Sequence, residues 1–534
     1  MPTDTPKVAG HGSCCKGDYA EQDDWRDCPP TAPYLRYRAE TQFSALLEMV
    51  ERGNAGGMNY ESFEGRLIAE VFHLGRLLVA LFLCRWQERT PVATTVSRGK
   101  ETYRRQPPKP RLLGTYFGKV RYWRTYLEQT NGRPGGFFPV DAALGLLADG
   151  FSMGVLGRAV QLATRMSFAA ATVVFSRFVG WSPSHKTIEE ATLGLGRYTA
   201  EWVEQRPPPP GDGEVLVVQF DSKATPTARK QELEQRRGPR RPNPYPDSPR
   251  HRGRDRRWRR GSKPRRKKGD KSKNGRMATI VVMYTLRRGT GPDGELILKG
   301  PINRWQYASY APKRHAFAIA RREADKRGFS AESGKHVQIM TDGDEDLERY
   351  AKEFFPDVQH SLDVIHVVEY LWKAGACLHR EGSHALRGWV EKQKDRLYAG
   401  KAASIVRSIR ASRKDALSSK KQERLDQIAN YMAKRLEMMD YAELAREDLE
   451  LGSGIVEGAV RYIISQRFDE GGMRWIKERA EALLQLRCIE LNGDWDNFMS
   501  YAHNQICRKQ RQSRRQIRLL QDSPEPLPTL GIDR

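Results

Sequence analysis

Apolar residues recur at intervals of three and four from Tyr34 to about Gln87, in the N-terminal part of the chain. This spacing is typical of amphipathic helices, so we expect a helical domain over residues 33–110. It follows a leader, residues 1–32, that lacks apolar periodicity and is predicted to be disordered. At the end of the domain, residues 90–110 are basic and contain several prolines, and we interpret them as a connector.

A β-hairpin and a pair of helices are predicted next. Residues 112–127 alternate apolar and polar side chains around Gly118, as the strands of a hairpin do. Helical spacing over residues 167–179 and 185–195 is interrupted by Gly-Trp-Ser-Pro-Ser, with Ser184 placed to cap the second helix. This layout is that of a helix-turn-helix, although an ordinary αα-hairpin has the same pattern. We expect a DNA-binding domain over residues 111–205, ended by the proline-rich tract 206–211.

Beyond this tract the hydrophobic period changes from that of helices to that of strands. Three strands precede an alternation of helix and strand, which predicts a mixed sheet covered by helices. The predicted strands are 215–220, 277–286, 295–299, 336–340 and 358–362, and the predicted helices are 313–327 and 345–355. The order βββαβαβ is that of a ribonuclease-H-like α/β fold. Its core would comprise residues 212–366 and 451–500, separated by a helical insertion over residues 367–450.

The charge of the chain predicts a polyanionic partner. Its 534 residues carry a net charge of +25, and residues 223–276 contain 22 Lys and Arg against 5 Asp and Glu. We interpret this tract as a disordered basic arm for phosphate contacts, in which Trp258 adds a stacking side chain among Arg256, Arg257, Arg259 and Arg260. Residues 501–534 form a second basic tail. The longest uncharged apolar runs are too short to span a bilayer, so we expect no membrane partner and a cytoplasmic protein.

Three acidic residues are the candidates for chemistry. Asp221 and Asp342 follow predicted strands, at the sheet edge where ligands bind, and Glu457 begins a helix after a glycine-rich turn. An Asp/Asp/Glu cluster suits Mg²⁺, which prefers hard oxygen ligands, and two such ions catalyse phosphodiester exchange. A single aspartate at a strand end is more often a turn or cap residue, so the prediction depends on all three meeting in the fold.

A set of motifs resembles the Mutator-like DDE transposases of bacterial insertion sequences, in particular the Kra group. The motifs are Phe220-Asp221, Thr341-Asp342-Gly343, Asp363-Val-Ile-His366, Gly452-Ser-Gly-Ile-Val-Glu457 and the block from Gln466-Arg-Phe to Gly472-Met-Arg-Trp475. The resemblance covers about residues 111–490. It implies that Asp221, Asp342 and Glu457 are the catalytic and metal-binding triad. The basic arm is longer than the family pattern explains.

The same resemblance implies roles for further residues. Asp363 and His366 would support the active site or contact DNA, and Asp363 is also an alternative to Asp342 as the second metal ligand. Arg467, Arg474 and Trp475 would contact phosphates or stack on a flipped base, although a buried tryptophan with surface arginines fits the pattern equally well. Zinc binding by Asp363 and His366 alone would lack further ligands.

The sequence therefore predicts a DNA transposase that binds transposon ends and catalyses strand cleavage and strand transfer. Two Mg²⁺ ions, or Mn²⁺ in their place, would be the cofactors. Double-stranded DNA, both element ends and target, would be the partner, bound by a homodimer or higher oligomer because two ends must be joined. Two alternatives remain open: a catalytically inactive DNA-binding protein descended from a transposase, and a ribonuclease-H-like nuclease without joining activity.

Overall fold

The computed structural model describes residues 29–52, 59–89, 93–98, 101–130, 135–227, 275–356, 358–413, 417–469 and 475–515. These residues form two compact units. The first unit takes its described residues from 1–163, 168–191 and 499–534, and the second takes them from 164–167 and 192–498.

The N-terminal part of the chain begins with two long helices and a four-stranded antiparallel sheet, followed by short helices. The elements are α1 (Ala32–Arg52), α2 (Tyr60–Glu88), β1 (Thr95–Arg98), β2 (Glu101–Thr115), β3 (Gly118–Gln129), β4 (Gly136–Phe137), α3 (Pro139–Leu144), α4 (Met153–Arg165), α5 (Phe168–Val179), α6 (His185–Gly196) and α7 (Thr199–Gln205). Leu35 of α1 and Leu77 of α2 are buried with Val120 and Tyr122 of β3, so the helices pack on one face of the sheet.

The predicted hairpin is present, but its first strand is much longer than expected. β2 and β3 pair from Thr115↔Gly118 outwards, and β1 pairs with the beginning of β2. Residues 95–98 and 101–110 are therefore strand, and the prediction of a connector over residues 90–110 was wrong there. Pro107 and Pro108 coincide with a shift of register between β2 and β3, at a point where β1 no longer pairs with β2. An edge and a bulge are the places where a strand tolerates proline, which lacks the N–H of the ladder.

The two helices predicted over residues 167–195 are confirmed as α5 and α6. Gly180 has a positive φ of 75° in the break between them. Ser184 Oγ accepts a hydrogen bond of 3.1 Å from the backbone N–H of Thr187 and so caps α6 as expected. DNA binding by this pair stays a prediction.

One described helix, α2, is long and apolar enough to cross a membrane by length and composition alone. Glu70 and Arg76 interrupt the apolar sequence of α2, so it contains no uncharged run long enough to predict a span. Mostly buried core helices pass the same test, but only 22% of the apolar window of α2 is buried, although Leu77, Ala80 and Leu83 pack against the neighbouring sheet. The expected absence of a membrane partner remains a prediction.

The second unit contains a five-stranded mixed sheet and the helices around it. Its elements are β5 (Val215–Pro226), β6 (Gly275–Thr290), β7 (Leu296–Ser309), α8 (Lys313–Lys326), β8 (His336–Thr341), α9 (Glu345–Phe354), β9 (Gln359–Leu362), α10 (Val364–Leu378), α11 (His384–Tyr398), α12 (Ala402–Ala411), α13 (Ser419–Ala433), α14 (Tyr441–Arg446), α15 (Gly454–Ala459), a π-helix (Val460–Asp469) and α16 (Lys477–Leu491). The last helix, α17 (Trp495–Arg515), begins in this unit.

The strand order in this sheet is β7-β6-β5-β8-β9. β5, β6 and β7 are antiparallel neighbours, whereas β5, β8 and β9 run parallel to one another. The predicted succession of three strands, helix, strand, helix and strand is thus present in a mixed α/β sheet, and residues 367–450 are mainly helical as expected. Central strands of such a sheet are buried on both faces, which explains their nearly continuous apolar sequence.

Several boundaries differ from the prediction. β5 continues to Pro226 and β6 begins at Gly275, so residues 223–226 and 275–276, assigned to a disordered arm, are paired strand. β7 continues to Ser309 rather than ending at Lys299. The predicted ends of β5 and β7 were the points where the apolar run gives way to polar side chains. Backbone pairing with β6 does not depend on side-chain polarity and extends both strands beyond those points. The remainder of the arm, with Arg256, Arg257, Trp258, Arg259 and Arg260, lies outside the described residues.

Candidate active site

Three aspartates lie at one edge of the five-stranded sheet. β5 and β8 are parallel and pair up to Gln219 and Met340, so Asp221 is level with Asp342 on the neighbouring strand. The register of β8 and β9 in turn brings Asp342 level with Asp363. Adjacent strands are about 4.8 Å apart, and side chains at the same level point to the same face. Asp342 and Asp363 immediately follow β8 and β9, so the three aspartates lie side by side at the carboxyl edge of these strands.

Asp221 lies inside β5 rather than at its end, since it still pairs with Ile280 of β6. Alternation along the strand separates it from Phe220, which is buried on the opposite face and stacks on Phe317 of α8 with ring centroids 3.7 Å apart. The short sequence Gln219-Phe220-Asp221 thus points two polar side chains to one face and one aromatic ring to the other. This alternation holds the Asp221 carboxylate at the acidic edge.

Glu457 joins the aspartates from a distant part of the chain. It lies in α15, which continues directly into the π-helix, and its side chain is exposed. Single ligand atoms of Glu457, Asp363 and His366 all come within 4.8 Å of one another. Within the described part of the chain, these three form the one His/Cys/acidic group with that spacing. Asp363 and His366 therefore do have a third potential ligand, which the sequence alone did not reveal.

The carboxylates at this edge influence one another. The pKa of Asp221 is raised to about 6, mainly by burial and also by the negative charges of Asp342 and Glu457, while the Ser222 N–H and His366 oppose the rise. Burial also raises the pKa of Glu457, and the charge of Asp363 adds to this effect. Asp221 is therefore within electrostatic range of both other members of the predicted triad. A cluster of oxygen ligands that repel each other is one that a divalent cation stabilises.

Asp342 begins a tight turn that the helical insertion supports. Its side chain accepts a hydrogen bond of 2.9 Å from the N–H of Asp344, and Tyr431 of α13 donates to its carbonyl oxygen at 3.2 Å. Gly343 has a φ of 85°, and a β-carbon there would come within 2.0 Å of the Tyr431 hydroxyl oxygen. Arg435 donates to the Gly343 carbonyl at 3.0 Å. Both the backbone conformation and the close packing require glycine after Asp342.

Asp363 is fully buried and bonded to the protein on both oxygens. Its Oδ1 accepts from the N–H of Ile365 at 2.9 Å, which caps α10, and from the N–H of Ser453 at 3.0 Å. Its Oδ2 accepts from the Ser453 hydroxyl and lies 3.7 Å from His366 Nε2. A carboxylate with this many donors is held in one orientation, so Asp363 fits the supporting role better than that of the second metal ligand.

Two of the residues predicted to contact DNA are buried. Arg467 is 1% exposed and its guanidinium lies 4.8 Å from the centre of the Trp475 ring, which is 6% exposed. Burial lowers the pKa of Arg467 to about 10. Trp475 Nε1 donates to the carbonyl of Phe468 at 3.3 Å. The prediction that Arg467 and Trp475 contact DNA does not fit this burial, and the alternative of a core tryptophan does. Arg474 lies outside the described residues.

Two residues near the acids were missed by the sequence analysis. Gln219 is buried two residues before Asp221, and Ser453 is buried four residues before Glu457. A glutamine within the apolar run Val-Leu-Val-Val-Gln-Phe was the available signal, because a buried amide needs specific partners. Ser453 offered no such signal, since a serine in a glycine-rich turn is common.

No protein-family model matches the chain, and no curated protein sequence matches it. Among solved structures, the chain is similar to the Drosophila P element transposase strand transfer complex, at 10% sequence identity. The alignment covers 68% of this chain and 84% of that one, with a TM-score of 0.20. A score of this size supports no argument about fold or function, so the function has to be inferred from the site itself.

Proposed function

We propose that this protein is a DDE-class DNA transposase with a ribonuclease-H-like core, of the Mutator-like type and the Kra group that its motifs resemble. It would bind the ends of a transposable element and catalyse Mg²⁺-dependent strand cleavage and strand transfer. The observations that support this proposal most are that Asp221 is level with Asp342 at the carboxyl edge of two parallel strands, and that Glu457, from a distant part of the sequence, lies within electrostatic range of Asp221.

Asp221, Asp342 and Glu457 would hold two Mg²⁺ ions, or Mn²⁺ in their place, since all three offer the hard oxygen ligands that these cations prefer. Such a pair of ions activates a water or a 3′-hydroxyl and stabilises the departing oxygen. This set differs from Asp363, His366 and Glu457, the described residues whose ligand atoms lie close enough together for a single ion. The contribution of this chain is to hold the carboxylates in place, with the Gly343 turn orienting Asp342.

DNA is the proposed substrate and partner because the chain carries a net charge of +25 and concentrates much of it in residues 223–276. We further propose that α5 and α6 recognise element ends as a helix-turn-helix, and that two or more copies assemble on DNA to bring two ends together. A cytoplasmic, nucleoid-associated location in a bacterium follows from the same proposal.

The test is a strand-transfer assay with the purified full chain, labelled DNA from the two flanks of its gene, and Mg²⁺. We expect cleaved ends and joined products. Cleavage without joining would favour the nuclease alternative, and binding without reaction would favour the catalytically inactive DNA-binding protein.

Variants separate catalysis from binding in the same assay. Asp221→Asn, Asp342→Asn and Glu457→Gln should each lower the cleavage rate at least about 100-fold, because each removes a negative charge that would hold the metal ions. Affinity for DNA should change little. Asp346→Asn is a matched control: this exposed aspartate of α9 pairs with Arg349 and lies four residues from Asp342. Full activity in any of the three variants would remove that residue from the triad.

A further inference from the structure

The chain returns from the helical insertion across the acidic face of the sheet, and side chains of that face bind its backbone. This return segment comprises residues 450–456. Gln338 of β8 donates to the Glu450 carbonyl at 2.7 Å and accepts from the Glu450 N–H at 3.1 Å. The N–H of Val364 donates to the carbonyl of Leu451 at 3.0 Å. The segment is thus anchored by hydrogen bonds before it reaches Glu457.

Gln219 of β5 makes the contacts nearest to Glu457. Its side chain is 0% exposed. Its Oε1 accepts from the N–H of Val456 at 3.0 Å, and its Nε2 donates to the Tyr284 hydroxyl at 3.1 Å and more weakly, at 3.5 Å, to the Gly452 carbonyl. Burial of an amide is costly unless its donors and acceptor are bonded, and here both ends are. The orientation of Gln219 is therefore well determined.

The bond from Val456 replaces an ordinary helix cap. Val456 is the third residue of α15, and its N–H has no acceptor within the helix. Ser453, at the cap position, would normally accept this hydrogen bond, but its hydroxyl donates to Asp363 instead. Gln219, more than 200 residues away in the sequence, supplies the missing acceptor.

Side-chain packing around the start of α15 is sparse on one side. A β-carbon added at Gly454 or Gly458 would meet no atom within 4 Å. Val456, by contrast, is buried, so its packing and its hydrogen bond to Gln219 together hold the start of α15 against the sheet. Because Val456 immediately precedes Glu457, and Gln219 lies two residues before Asp221 on the same face of β5, one strand positions two of the three proposed metal ligands.

We propose that Gln219 is a positioning residue for Glu457: it caps α15 from the sheet and so holds the Glu457 carboxylate in place for metal binding with the other acids. This inference rests on the proposed function, because it concerns the same metal triad. Residues that orient ligands without touching the metal typically change metal affinity 10- to 100-fold when they are replaced.

The test uses the full chain without DNA and measures Mn²⁺ binding by electron paramagnetic resonance and hydrogen exchange of the Val456 amide. Gln219→Leu keeps the size of the side chain and removes its hydrogen bonds. We expect Mn²⁺ affinity to fall at least about tenfold and the Val456 amide to exchange faster. Gln219→Glu retains the acceptor for the Val456 N–H, so protection of this amide should persist even where the protein is less stable.

Gln338→Leu is the matched control. Gln338 is equally buried and binds the same return segment, but at Glu450, seven residues before Glu457. This variant should lose thermal stability while keeping Mn²⁺ affinity within about twofold of the wild type, since its contact with the return segment is seven residues from Glu457, whereas that of Gln219 is one residue from it. Equal losses of Mn²⁺ affinity in Gln219→Leu and Gln338→Leu would indicate general destabilisation and overturn the inference.

Asp221→Asn and Glu457→Gln distinguish failure of this inference from failure of the proposed function. If both weaken Mn²⁺ binding and Gln219→Leu does not, Gln219 is not a positioning residue, whereas the metal triad stands. If neither weakens it, the triad and the positioning role fail together. Weaker binding in all three variants, with Gln338→Leu unaffected, supports the inference.

Discussion

Replacing Asp221 with Asn should stabilise the folded protein in metal-free buffer at neutral and alkaline pH. The folded structure raises the pKa of Asp221 from 3.8 to about 6, chiefly by burial. Between these two pH values the unfolded chain has released its proton and the folded chain has not, so the stability of the wild type falls as pH rises. Above about pH 6 the folded protein contains an ionised buried carboxylate, and its stability does not fall further from this source. Asn removes the ionisation.

The size of this effect follows from the shift in pKa. Two pH units at 1.36 kcal/mol each correspond to about 3 kcal/mol. Solvent reaches part of the Asp221 side chain and reduces this figure, so we expect a gain of about 1–3 kcal/mol at pH 8 and almost none at pH 4. Ser222 donates its N–H to Asp221 Oδ1 at 2.5 Å, and the amide oxygen of Asn can accept the same bond.

The assay is urea unfolding of wild type and variant with EDTA, at pH values from 4 to 8. The difference in free energy of unfolding between the two proteins isolates Asp221 from other buried acids. Asp344→Asn is a control of opposite sign: burial raises the pKa of Asp344, but the hydrogen bond of 2.6 Å from Lys313, the charge of Lys313 and the N–H groups of Leu347 and Asp346 together outweigh this and lower the pKa overall. Asp344 therefore contributes stability above its unfolded pKa that is lost as pH falls, and its replacement should destabilise the protein at pH 8.

A gain for Asp221→Asn that is the same at pH 4 and pH 8 would refute the reasoning, since it could not come from ionisation. A less stable variant at pH 8 would refute it as well. Addition of Mg²⁺ should stabilise the wild type more than the variant, because a bound cation favours the ionised carboxylate and binds only the folded site.

Two further predictions concern a buried ion pair and the basic arm. The side chain of Arg327 is 0% exposed and donates hydrogen bonds of 2.9 and 2.6 Å to Asp212. Arg327→Met should lower the free energy of unfolding in urea by about 3–5 kcal/mol, because it leaves the partner carboxylate unpaired. A decrease below about 1 kcal/mol would show that the fold does not depend on this ion pair. A second variant replaces the four arginines that flank Trp258 with alanine: Arg256, Arg257, Arg259 and Arg260. In DNA titrations the slope of the logarithm of the binding constant against the logarithm of the salt concentration should become shallower by up to about 3 to 4. Trp258→Ala should leave this slope unchanged, because it removes no charge. An unchanged slope in the fourfold variant would mean that they do not contact the DNA backbone.

The order of strands and helices around the acids could be predicted from the sequence because it depends on local periodicity. An apolar run of strand length, such as the one ending at Phe220, identifies a buried strand wherever it lies in the fold. The alternation at Gln219-Phe220-Asp221 likewise assigns faces to side chains from neighbouring residues alone. Pro107 and Pro108 led to the wrong prediction of a connector over residues 90–110. A strand accommodates them only because its register with β3 shifts at this point and β1 does not pair with it there, and both features depend on the tertiary structure.

By itself, then, the sequence determined the succession of elements, the face of each strand to which a side chain points, and the positions of the acidic residues within or just after the strands. Only the tertiary structure decided that the Val456 N–H binds Gln219, that Asp363 is hydrogen-bonded by Ser453 and Ile365, and that Trp475 is in the core. The physical reason is the separation along the sequence of the residues that interact. Periodicity reports on residues within a few positions of each other, whereas these hydrogen bonds and this burial depend on segments that meet only when the chain packs.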